Sequence, residues 1–141
     1  MNVIYVPFGE LANATAAILP YMKQAAGLTD GNCIVDDMMA RLYNKQQQLW
    51  AVVDEGAVLG IMTSEIMNYP QCKKLRLGSI VLDPGTLEKA KPLLLSLIDD
   101  FARENACVGI EFAGRTGWER TLRDDGYTKS SLVYTKELNH G

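Results

Sequence analysis

Residues 107–127 read "CVGIEFAGRTGWERTLRDDGY", and this stretch decides how the rest of the chain is organised. Residues 107–112 are a short apolar run carrying one carboxylate, Glu111, which reads as a strand. Gly114 and Arg115 interrupt the run, and residues 117–124 then suit a short helix closed by Gly126. Glycine commonly occupies that closing position because it takes the left-handed conformation without a Cβ penalty. Strand, loop and short helix in that order serve catalysis, binding or packing, and the surroundings must discriminate.

Upstream lies "VLDPGTLEKAKPLLLSLIDDFAREN", residues 81–105. Leu94, Leu97, Ile98 and Phe101 follow the i, i+3, i+4, i+7 spacing of an amphipathic helix. Pro92 lacks an amide hydrogen and disfavours helical geometry at Lys91, but it suits a first helical position. The helix is therefore expected to start at Pro92, with residues 83–91 as a polar loop. A strand over residues 73–82, this helix and the strand at 107–112 make a βαβ unit, so the two strands should run parallel.

Earlier still, "LWAVVDEGAVLGIMTSEIM" gives two apolar strands joined by a turn at Asp54, Glu55 and Gly56. A strand at residues 2–6 opens the chain. A helical segment at 8–27 follows, with Pro20 as a candidate break, and a second helix at 35–47 begins with Asp36 and Asp37. A last strand is expected at 128–138. The order is β-α-α-β-β-β-α-β-α-β, an α+β fold with a mixed central sheet flanked by helices.

With 141 residues the chain makes one domain, 1–141, able to bury roughly two-thirds of its unfolded surface without staples. Net charge is −3, and the basic residues are scattered apart from Lys73, Lys74 and Arg76, which argues against nucleic acid as a partner. Cys33, Cys72 and Cys107 lie far apart, and His140 is the single histidine, so neither a zinc site nor a histidine-based triad is expected. The N-terminus lacks the pattern of a secretory signal, and no apolar run approaches the ~18 residues of a membrane span. The expected location is the cytoplasm.

The element order and two motifs resemble the GNAT superfamily of acyl-CoA-dependent N-acyltransferases. The first motif is the Asp-Pro at 83–84 with the loop and helix after it, and the second is Leu122 to Tyr127, similar to the family's terminal Tyr-x-x-x-Gly-Phe. The Gly-Arg-x-Gly-Trp element at 114–118 resembles small GNAT-like proteins of tailed bacteriophages. The resemblance covers about residues 49 to 138.

The resemblance implies an acetyl-CoA or other acyl-CoA cofactor whose pantetheine arm bonds to strand backbone, here at Ile80, Val81 and Leu82. Read without it, those residues are a plain core strand. It places the cofactor's phosphates at the loop before the helix. The family's glycine-rich cradle is replaced there by "TLEKAKP", so Lys89 and Lys91 with the helix dipole would serve, unless they are solvated surface lysines. Arg115 falls at a cofactor-contacting position and could hold a phosphate, or pair with Glu111 or Asp124. Trp118 reads chiefly as packing the short helix onto the sheet.

For chemistry, the amine must lose a proton and the thiolate must gain one. Glu65 and Glu111 are the carboxylates expected near the cleft as bases, or as solvent-facing or ion-paired groups. Many relatives carry a tyrosine acid where this chain has Leu122, which cannot donate a proton. Two functions follow: an N-acyltransferase acting on an amine of a protein or small molecule, or an inactive GNAT-fold module that binds a host protein. The expected C-terminus carries one strand where relatives carry two, and its open edge leaves room for a homodimer.

Overall fold

The computed structural model describes residues 1–29, 31–114 and 117–138. Five strands form one sheet in the order β1-β2-β3-β4-β5. They are β1 (Asn2–Tyr5), β2 (Gln48–Asp54), β3 (Ala57–Asn68), β4 (Lys73–Leu82) and β5 (Gly109–Phe112). The first four pair antiparallel, and β4 pairs with β5 in parallel, as the βαβ reading requires. Glu55 (φ 49°) and Gly56 (φ 81°) sit at the β2–β3 turn, where a tight hairpin needs left-handed backbone.

Helices cover both faces. On one, α1 (Leu11–Gly27) and α2 (Val35–Tyr43) enclose a core of Ile18, Tyr21, Met22, Met38 and Leu42 against Leu49, Ala51, Ile61 and Val81. On the other, α3 (Leu87–Glu104) packs Ala90, Leu94, Ile98 and Ala102 onto Trp50, Val52, Met62, Leu75 and Leu77. Alternation along β2 explains the division: Leu49 and Ala51 belong to the first core, Trp50 and Val52 to the second. Each fully buried large side chain contributes about 1.5–3 kcal/mol of transfer free energy. At the start of α2, the Asp37 carboxylate accepts the Ile34 amide at 3.0 Å, the capping role its first-turn position suggests.

Three expectations are corrected. Pro20 does not break α1, which runs through it to Gly27. Ile18, Tyr21, Met22 and Ala25 flank the proline, and their burial outweighs the lost amide hydrogen bond. Pro92 does not start α3, which begins at Leu87 and contains it. Ala90, ahead of the proline, is fully buried, so packing extends the helix by a turn that propensity would not. Residues 128–138 form no strand. Leu132, Val133 and Tyr134 are 56%, 85% and 86% exposed, so no burial there offsets the ordering of the backbone.

The short helix α4 (Gly117–Leu122) is followed by a 3-10 turn (Arg123–Asp125), and Gly126 closes it at φ 88° as its position suggests. Phe112 and Trp118 meet edge to face at 5.4 Å, fixing α4 against the end of β5.

Candidate functional site

The site is built on an irregularity in β4. Met62 of β3 pairs with Ile80 and Ser64 pairs with Leu77, so Thr63 alone faces both Gly78 and Ser79. That two-against-one count is a β-bulge, which bends a strand and increases its twist. The Thr63 hydroxyl, buried at 2% exposure, accepts the Ser79 amide at 3.0 Å and so satisfies the group the bulge displaces from the ladder. A side chain at position 78 would run into that same hydroxyl, which accounts for the glycine.

The β4–β5 ladder ends at the same place. Lys74, Leu75, Arg76 and Leu77 pair with Gly109, Ile110, Glu111 and Phe112, and residues 78–82 have no partner on that side among the described residues. Ile80, Val81 and Leu82 thus stay bonded to β3 while their other edge is open. Their side chains are engaged in packing, Val81 toward α1 and α2, Ile80 and Leu82 toward α3. A ligand at this edge would meet main-chain groups, as an added strand does.

Glu65 and Glu111 fall in one row across the sheet, because Glu65 pairs with Arg76 and Arg76 with Glu111. Their surroundings differ. The Glu111 carboxylate accepts a short hydrogen bond from the Tyr69 hydroxyl and lies 3.4 Å from the Arg76 guanidinium. The Tyr69 bond first, and the Arg76 charge further, hold its carboxyl below the usual range, against the opposing effect of burial. The same bond pushes the Tyr69 hydroxyl up. Glu65 instead accepts only a neutral donor among the described residues, the Gln47 side-chain amide at 3.2 Å.

A cavity of about 230 Å³ opens between the α1–α2 connection and the bulge. Its walls include Arg41, Gln47, Glu65, Arg76 and Ser79. Glu65 therefore lines a half-open hollow that borders the open β4 edge at Gly78 and Ser79. A larger hollow, about 460 Å³, lies at the end of β5 between Phe112, Trp118, Leu122, Tyr127 and Leu132.

Where the polar loop was expected, Asp83 and Thr86 close a single turn through a 3.1 Å amide bond, with Gly85 at φ 80°, and α3 follows at once. The amides of the first helical turn have no intrahelical acceptor, in α3 as in any helix, and they carry the positive end of the dipole. Lys89 lies exposed on that turn, beside the like-signed obstacle to an anion that Glu88 presents. Lys91 is engaged elsewhere, donating to the Thr121 carbonyl and pairing with Asp125, both at 3.0 Å, and thus ties α3 to α4. Arg115 lies outside the described residues. Leu122 is buried at 5% exposure, a packing residue at the place of the expected acid.

The lysines of the basic cluster have local partners. Lys73 donates to the Asn105 carbonyl and Lys74 lies 5.9 Å from the Tyr69 ring centre. Among the described residues, no helix is long and apolar enough to cross a membrane.

The residues that the sequence reading missed are Thr63, Gly78 and Ser79, together with Arg41 and Gln47 on the cavity wall and Tyr69, which contacts Arg76. The bulge did leave a signal. Leu75 and Leu77 face α3 and so do Ile80 and Leu82, so the apolar alternation slips by one residue at Gly78-Ser79.

No known family model matches the chain, and no curated protein matches it significantly. Solved structures do. One described as a probable acetyltransferase superposes with a TM-score of 0.74 over 100% of both chains, at 13% identity. A predicted acetyltransferase from Clostridium acetobutylicum, solved with acetyl-CoA, gives 0.71 over 99% of both chains at 10% identity. A ribosomal-protein-alanine N-acetyltransferase from Brucella melitensis biovar Abortus 2308 gives 0.68 at 14% identity, covering 98% of this chain and 100% of that one. The fold is therefore the GNAT fold.

Proposed function

We propose that the protein is an acyl-CoA-dependent N-acyltransferase acting on an amine. The observation that carries this reading is the unpaired edge of β4 past the last β4–β5 pair, at the Gly78-Ser79 bulge and beside a cavity lined by Glu65. Open backbone at Ile80, Val81 and Leu82 fits the amide groups of a pantetheine arm. The α3 N-terminus and Lys89 fit its phosphates, with Arg115 a further phosphate contact and Lys91 serving chiefly as a structural tie. The glycine-poor turn makes this phosphate site weaker than a glycine-rich cradle, since fewer amides converge.

Acetyl-CoA, when bound, supplies an activated acyl group, whose C–S bond is exchanged for an N–C bond to the acceptor. Glu65 holds the acceptor amine at the cavity wall and takes the proton that the ammonium must lose before its nitrogen can attack. Glu111 is the poorer base, since Tyr69 and Arg76 stabilise its ionised form. The nitrogen loses a second proton as the amide forms, and this one balances the departing thiolate. A thiol of pKa about 8.5 leaves readily as its anion, so the position of Leu122 does not forbid the reaction. Juxtaposition of amine and thioester supplies much of the rate.

Calorimetric titration of the protein with acetyl-CoA tests the proposal. Saturable binding, weakened by Lys89→Ala, is expected. Absence of both heat and a thermal shift would overturn it and favour the second reading, an inactive module that captures a host protein. Leu122 at the acid position and the glycine-poor turn are the observations on that side.

A further inference from the structure

We infer that the acceptor is a small amine that also carries an anionic group, a carboxylate or a phosphate. This rests on the acyltransferase reading and specifies its second substrate. The cavity beside the bulge is lined by two arginines, Arg41 and Arg76, and one acidic residue, Glu65. Glu111, just outside the lining, pairs with Arg76, so the lining offers a ligand both signs of charge, a cation at Arg41 and an anion at Glu65. Opposite charges set apart in one cavity select for a ligand that carries both.

The two arginines differ in what already holds them. Arg41 stands in the last turn of α2, and its guanidinium has no hydrogen-bond or ion-pair partner among the described residues. Its backbone carbonyl accepts the Gln46 and Gln47 amides at 2.9 and 3.2 Å, and the Gln47 side chain continues to Glu65. Arg41 and Glu65 thus line one cavity and are joined through Gln47. Arg76 uses Nη2 for Tyr69 and Glu111, and the rest of its five-donor fork is uncommitted among the described residues. Tyr69 and Glu111 hold one nitrogen of the Arg76 guanidinium, which orients the remaining donors of its planar fork.

Glu65 and the arginines together complement both ends of one molecule: carboxylate to ammonium, guanidinium to anion. Ser79 and Gln47 add neutral hydrogen-bonding groups between them. A volume of about 230 Å³ is below the ~300–1,000 Å³ of ordinary ligand pockets and suits a compact acceptor.

Matched amines test the inference, and they separate the two anions: alanine against ethylamine, and phosphoethanolamine against ethanolamine. The anionic member of at least one pair should be acetylated with a kcat/KM at least about tenfold higher, the value of a charge-assisted contact. Arg41→Ala should raise KM for that member by a similar factor and so abolish its advantage over the neutral counterpart. Without acetyl-CoA, the same anionic amine should raise the melting temperature of the wild type and not of Arg41→Ala. Equal rates within both pairs and no thermal shift, in protein that binds acetyl-CoA, would overturn the inference. Failure to bind acetyl-CoA is read by the separate titration and overturns the acyltransferase reading instead, while the thermal shift still decides whether the cavity takes an anionic amine.

Discussion

The hydroxyl of Thr63 accepts the amide hydrogen of Ser79 at 3.0 Å, just past the last β4–β5 pair, Leu77 with Phe112. Gly78 lies under the same hydroxyl without space for a Cβ. Gly78→Ala must therefore displace Thr63 or flatten the bulge. Overpacking of this kind costs about 1–3 kcal/mol. The bulge also keeps the β4 edge open, so acetyl-CoA affinity should fall by more than the stability loss explains. Chemical denaturation beside calorimetry separates the two effects. Thr63→Val should cost about 1–3 kcal/mol by leaving the Ser79 amide without its buried acceptor.

Glu65 and Glu111 flank Arg76 in one row, yet they should answer differently to removal of charge. Glu65→Gln should lower kcat by about 10²-fold or more while leaving acetyl-CoA affinity unchanged, as loss of a positioned base does. Glu111→Gln should act on acid stability. Because the folded carboxyl titrates below its ordinary value of 4.5, its stabilisation is present above pH 4.5 and lost as pH falls through the lower folded value. Urea melts between pH 3 and 6 should show a flatter acid limb for Glu111→Gln than for the wild type.

The fold was more legible in the sequence than the site, for physical reasons. Helix α3 announces itself because Leu94, Ile98 and Ala102 repeat at the helical period along one buried face. The β2–β3 turn is equally clear, since Glu55-Gly56 meets its local backbone requirement. The site depends instead on cross-strand register. No local pattern reveals that Glu65, Arg76 and Glu111 share a row, nor that the Arg41 carbonyl binds the Gln47 amide and brings Gln47 to Glu65. Lys91 shows the converse. Sequence proximity to the α3 start suggested a phosphate contact, but an ion pair with Asp125, distant in sequence, occupies its ammonium. The errors at Pro20 and Pro92 share one cause, local propensity overridden by burial of neighbouring helix residues.

Pro92 offers a direct test of where α3 begins. Inside the helix, the proline leaves the Glu88 carbonyl without its amide partner, and its exposed ring contributes little packing. Pro92→Ala should then stabilise the protein, by up to about 3 kcal/mol on the helix-interior scale. If the helix instead began at residue 92, the same change would remove a favourable first-position proline and stability would stay level or fall. The sign of the change in melting temperature decides.

Tyr127 carries a phenolic oxygen that is buried with no hydrogen-bond partner among the described residues. Burial first, and the charges of Asp99 and Asp125 further, push this phenol up to about 12 from its ordinary 10.0. The neutral form is thus favoured in the folded state. Its stabilisation relative to the unfolded chain is complete below pH 10 and is lost as pH rises toward 12. An unpartnered buried hydroxyl costs about 1–3 kcal/mol in desolvation, which a phenylalanine avoids at nearly the same volume. Tyr127→Phe should therefore be neutral or stabilising at pH 7 and should remove the part of the alkaline stability loss that this phenol causes. Thermal melts at pH 7 and pH 11 read both effects, and a destabilised variant at pH 7 would show that the hydroxyl has a partner after all.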